Sequence, residues 1–126
     1  MLYPMDCVSF YKCLAEESRL RILNLLRQGP LCVCHVQEAL EMPQSKVSKQ
    51  LSYLKKHGLL ESRRYNNWTI YEIAAADNAL FAANMRELEA IFSEGEYAAD
   101  LQRLSKLDTS IACVPREAGC CDGACD

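Results

Sequence analysis

Long hydrophobic runs are missing from this 126-residue chain. Arg, Lys, Glu or Asp recur throughout, so no window approaches the roughly 18 to 20 unbroken apolar residues that a membrane span needs. The first twenty residues also lack the apolar stretch of a secretory signal. They carry Asp6, Lys12, Glu16, Glu17 and Arg19 instead, which predicts a chain that stays in the reducing cytoplasm. Histidine is scarce, with only His35 and His57, and neither has an evident acid partner in a catalytic order, which argues against a cysteine enzyme. Aromatic residues are few, and no internal repeat is visible. The length suits one domain with a hydrophobic core and is too short for a large barrel.

Cysteine, by contrast, is abundant, with eight residues: Cys7, Cys13, Cys32, Cys34, Cys113, Cys120, Cys121 and Cys125. In a reducing compartment this reads as metal or redox chemistry before it reads as disulfides. Cys32 and Cys34 are too close in sequence to prefer each other as a disulfide. Charge is also uneven. Residues 43–72 hold six basic and two acidic side chains, whereas residues 73–126 hold four basic and ten acidic ones. A basic stretch inside a chain of net charge −3 points to a local polyanion contact, because Lys and Arg are needed only where a phosphate backbone touches.

Hydrophobic periodicity predicts a short helix from Val8 to about Leu14, a second in SRLRILNLLRQGP ending at Gly29, and a third from about Val33 to Leu40. A fourth runs from about Ser45, its expected cap, to His57, with Val47, Leu51 and Leu54 on one face and polar or basic residues on the others. The run LLESRRYNNWTIYEI reads as two strands around an Asn66-Asn67 turn. A fifth helix from about Asn78 to Phe92 carries an apolar stripe of Phe81, Met85, Leu88 and Phe92, suited either to a dimer contact or to the intrachain core. Helix then continues past Gly95 toward Leu107. The expected organisation is a domain over residues 1–104 and a flexible Cys-rich tail over 105–126.

Two short helices joined by a tight turn, the second basic and followed by a hairpin, make a winged helix-turn-helix: mainly α with a small β-hairpin. The second helix enters the major groove of double-stranded DNA. Gln44, Ser45, Lys46, Ser48, Lys49 and Gln50 are thus candidates for base and backbone contacts, and Arg63, Arg64 and Asn67 on the wing for phosphate contacts. Cys32 and Cys34, at i and i+2 near a helix N-terminus where the dipole favours anionic sulfur, form a soft chelate. Arsenite or antimonite suits three sulfurs in a pyramidal set, while zinc, cadmium or lead prefers three or four ligands.

The segments CLAEESRLRILNLL, LCVCHVQEAL, SKVSKQLSYLKKHGLLESRR and WTIYEI, in that order, resemble the ArsR/SmtB metalloregulatory repressors over about residues 8 to 105. The Leu31–Cys34 element resembles the inducer site of arsenite and cadmium/lead sensors. The resemblance implies a homodimeric repressor without enzyme activity, which leaves operator DNA when a thiophilic ion binds and controls resistance genes. Its departures are informative. Gln37 stands where enteric arsenite sensors carry a third Cys, so a third sulfur must come from elsewhere. Cys7 resembles the arm cysteine of cadmium sensors, Cys120, Cys121 and Cys125 offer a third ligand or a second site, Cys113 has no close partner, and Cys13 is expected in the core. His35 is expected as an exposed helix-start residue. Gln50 replaces the His of many relatives while keeping an amide suited to adenine. The fifth helix has no His and only Asp77 near its start, so the zinc site some relatives build there is expected to be missing. Trivalent arsenic or antimony is the expected inducer; cadmium, lead, zinc, organoarsenicals and a thiol redox switch are the alternatives.

Overall fold

The computed structural model describes residues 7–107. Six helices and three strands follow in chain order: α1 (Cys7–Leu14), α2 (Glu17–Leu26), β1 (Leu31–Cys32), α3 (Val33–Leu40), α4 (Gln44–Lys56), β2 (Leu60–Tyr65), β3 (Trp68–Ile73), α5 (Ala79–Phe92) and α6 (Gly95–Ser105). The expected winged helix-turn-helix is thus present. Helices α3 and α4 form the helix-turn-helix, joined through Glu41, whose left-handed φ of 56° closes α3 as its amide donates to the carbonyls of Gln37 and Glu38.

Three details differ from the sequence expectation. Helix α4 begins one residue early, at Gln44, behind Pro43 rather than under a Ser45 cap; proline in extended geometry sets the entry and needs no side-chain oxygen. Helices α5 and α6 are separate, because the chain breaks at Ser93 and Glu94 and Gly95 takes a φ of +57°. The third difference is β1, a two-residue strand without a periodic signal. It pairs antiparallel with β3, Leu31 opposite Tyr71 and Cys32 opposite Ile70, making a sheet of order β1-β3-β2. The hairpin register follows the Asn66-Asn67 turn, with Tyr65 opposite Trp68 and Asn66 at φ 57°.

One core unites these elements. Ile22, Leu23 and Leu25 of α2, Val36 and Ala39 of α3, Val47, Leu51 and Leu54 of α4, Leu59, and Ile70 of β3 are buried together. Phe81, Met85 and Phe92 of the α5 stripe are buried within the same chain, which supports the intrachain reading for those three; Leu80 and Ile91 on α5, and Val8 and Tyr11 on α1, remain exposed. No helix among the described residues is long and apolar enough to cross a membrane.

Candidate functional site

Cys32 closes β1 and serves as the N-terminal flank of α3 in extended geometry, so the chain turns from sheet to helix between the two thiols. The turn brings side chains at i, i+2 and i+3 to one point. The sulfurs of Cys32 and Cys34 stand 2.8 Å apart, closer than their sequence spacing suggests but longer than the ~2.05 Å of a disulfide. His35 Nδ1 lies 3.7 Å from Cys32 Sγ. All three side chains are buried, and their ligand atoms lie within 4.8 Å of one another. The expectation for His35 is therefore corrected: it is 5% exposed and part of the cluster, because the apolar run around it draws the first turn of α3 into the core. A signal was available, since His35 falls one helical turn after Cys32 on the side that the flanking Val33 and Val36 bury.

The remaining described thiols stand outside this group. Cys7 is exposed at the start of α1. Cys13 is in the core as expected; burial pushes its thiol up in pKa, opposed by the charge of Arg19. Cys113, Cys120, Cys121 and Cys125 lie outside the described residues.

The far end of α3 is held by different chemistry. Its last-turn carbonyls accept from two arginines, Ala39 from Arg103 Nε at 2.6 Å and Leu40 from Arg21 Nη2 at 3.2 Å. Both arginines converge on the fully buried carboxylate of Asp100, at 2.8 Å for Arg21 and 2.7 Å for Arg103. Glu96 joins at the surface, and its hydrogen bond to Arg103 holds its carboxyl below the usual range. Helices α2 and α6 thus grip α3 through charge-assisted bonds.

Helix α4 presents Ser45, Lys46 and Lys49 exposed, with Gln44 and Ser48 half-buried and joined by a 2.9 Å hydrogen bond. Gln50 is placed differently. It is buried, its carbonyl oxygen accepts from Arg19 Nη1 at 2.9 Å, and its amide donates to Glu16 at 3.3 Å. Arg19 also donates to the last carbonyls of α1, Lys12 and Cys13, and stacks over the Tyr53 ring at 4.1 Å. No sequence signal marks Arg19, because its partners are spread over α1, α4 and Glu16 ahead of α2. On the wing, Arg63, Arg64 and Asn67 are exposed; Arg63 lies 3.6 Å from Glu72, and Arg64 donates to Thr69 at 3.3 Å.

A helix-turn-helix with a basic, exposed second helix and an arginine-bearing wing defines a DNA-binding regulator rather than an enzyme. The comparisons narrow this class. Residues 16–62 match the family described as bacterial regulatory protein, arsR family. The chain is 42% identical over 64 residues to the arsenic resistance transcriptional regulator ArsR1 of Pseudomonas putida, covering half of each chain. It is 40% identical over 68 residues to the arsenical resistance operon repressor of Escherichia coli, covering 53% of this chain and 58% of that protein. The chain thus spans about half the length of these curated relatives. Among solved structures, the homodimeric winged helix-turn-helix domain of Mb0332 from Mycobacterium bovis, described as a possible ArsR-family transcriptional regulator, is 36% identical with a TM-score of 0.59; the match covers 68% of this chain and 81% of that one. The protein belongs to the ArsR family.

Proposed function

We propose that this chain is a cytoplasmic, homodimeric transcriptional repressor that binds operator DNA and releases it when trivalent arsenic, as arsenite or antimonite, is captured by the Cys32 and Cys34 thiolates. The observation that carries this reading is the position of the thiol pair. It lies at the junction of β1 and α3, so an ion there acts on two DNA-facing elements at once: the recognition helix α4, packed on α3, and the wing, to which β1 is paired. The sulfurs must move to do so. With metal–sulfur bonds near 2.3 Å, two thiolates on one ion stand roughly 3.4 to 3.8 Å apart, so the 2.8 Å pair opens by about 0.6 to 1 Å. A dimer must present its two reading heads about 34 Å apart, and displacing them by a differential affinity of roughly 1 to 3 kcal/mol changes DNA affinity about 5- to 150-fold.

In this reading Gln44, Ser45, Lys46, Ser48 and Lys49 face the major groove, Arg63, Arg64 and Asn67 meet phosphates, and Gln50 braces the helix through Arg19. The genes controlled are those of arsenic resistance, by analogy with the two curated relatives. The test is fluorescence anisotropy of the reduced protein on the DNA upstream of its own gene, titrated in parallel with arsenite, cadmium and zinc. Arsenite is expected to release the DNA, and the double variant Cys32→Ser, Cys34→Ser to bind DNA but not respond. Full arsenite release from that variant would place the site elsewhere, and release only on oxidation would identify a thiol switch.

A further inference from the structure

We propose that the chain carries a second ligand site, a cavity between the end of α2, β3 and the first half of α5 that takes a small aryl carboxylate through Arg27. The cavity has a volume of about 470 Å³, within the range of small-molecule sites. Its wall is apolar where Ile73 of β3 and Phe81 and Met85 of α5 line it. Beside the loop after α2 the space is open, since a Cβ on Gly29 would meet no atom within 4 Å.

Arg27 supplies the polar end. Among the described residues, its Nε is the one buried side-chain nitrogen or oxygen without a hydrogen-bond partner. A buried donor left unpaired is costly, and folded proteins rarely keep one. The rest of the guanidinium is held loosely: Nη2 donates to Asn24 at 3.3 Å, the group lies 5.0 Å from the centre of the Phe92 ring, and Nη1 is 3.7 Å from the exposed carboxylate of Glu89. Water weakens an exposed partner at that distance. Glu72, also on the wall, has its own counter-ion in Arg63 at 3.6 Å, which leaves Arg27 as the charge that an entering anion meets. A planar carboxylate matches a guanidinium edge with two parallel hydrogen bonds, and it satisfies Nε if it takes the edge that includes that atom. An aromatic body then packs on the Phe81 ring and the Met85 thioether, which a bare inorganic anion would leave in water. None of these residues belongs to the Cys32, Cys34 and His35 group, so the inference goes beyond the ion response and does not depend on it.

The test uses the full-length reduced protein, labelled with carbon-13 at the methionine methyls and titrated with naphthylacetate in solution NMR. The Met85 methyl is expected to shift saturably in the ring current of the bound naphthyl group, while Met42, which does not line the cavity, keeps its position. Naphthylacetamide, the same shape without the charge, is expected to bind tenfold or more weakly. Arg27→Met is expected to lose a similar factor for the acid and to keep the amide affinity, which shows that the cavity itself is intact. Equal affinity of wild type for acid and amide overturns the proposal, as does an unchanged acid affinity in Arg27→Met. Binding only above about 1 mM, the behaviour of an adventitious additive only, overturns it as well. So does a Met85 signal that moves with protein concentration and ignores the acid, since a second copy of the chain would then cover the cavity.

Discussion

The two ends of α3 are built from opposite materials. Its first turn is made of soft donors, two cysteine sulfurs and an imidazole buried among apolar neighbours. Its last turn is gripped by Arg21 and Arg103 around the buried Asp100. In the proposed function an ion rearranges the first end, while the other resists rearrangement because breaking a buried ion pair leaves an uncompensated charge. Under that proposal the eight-residue helix α3 works as a lever, fixed at the α2 and α6 side and moved at the sheet side.

The sharpest way to break the contrast is at Asp100. Asp100→Asn is expected to cost about 3 kcal/mol in urea unfolding, since it leaves both arginines without their shared carboxylate; a change below about 0.5 kcal/mol would show that the arginines do not fix this end. Arg19→Met should come next, at about 2 kcal/mol, through loss of its charged hydrogen bonds to α1 and Gln50. It should also weaken DNA binding more than a matched loss of stability would. At the soft end, Cys34→Ser is expected to cost only about 1 kcal/mol in stability while removing the ion response, which thermal melts with and without arsenite would separate. The smallest effect is acid-dependent. Because the folded state lowers the pKa of Glu96, its contribution is present above the ordinary value of 4.5 and is lost as pH falls through the folded value. Glu96→Gln should therefore lose less stability than wild type between pH 6 and pH 3; equal acid limbs for the two proteins would exclude the effect.

The parts of this contrast differ in how far the sequence discloses them. Helices α3 and α4 and the hairpin were legible because apolar spacing and the Asn66-Asn67 turn are local signals. The Cys32–Cys34 pair was legible as a motif. Strand β1 was not, since two residues carry no period and their pairing depends on β3 folding nearby. The same holds for Asp100, an acidic residue in an acidic stretch, whose burial is set by arginines in α2 and α6. Gln50 has the composition of a base reader, but its side chain is claimed by Arg19 and Glu16, which sequence spacing does not reveal. The placing of His35 has a related cause: its partner Cys32 belongs to strand β1, which carries no periodic signal.

The pairing of Cys32 with Ile70 gives the thiol site a date of birth. On the ribosome the cysteines emerge well before the wing strand that completes their surroundings, and at synthesis rates of about 5 to 20 residues per second the interval is roughly 2 to 8 seconds. During that time the two thiols lack the β3 strand that covers them in the folded chain. If the proposed ion response holds, a cell already loaded with thiophilic ions meets the nascent chain in this state, newly made protein is loaded before it reaches DNA, and recovery after exposure depends on ion clearance rather than on synthesis alone.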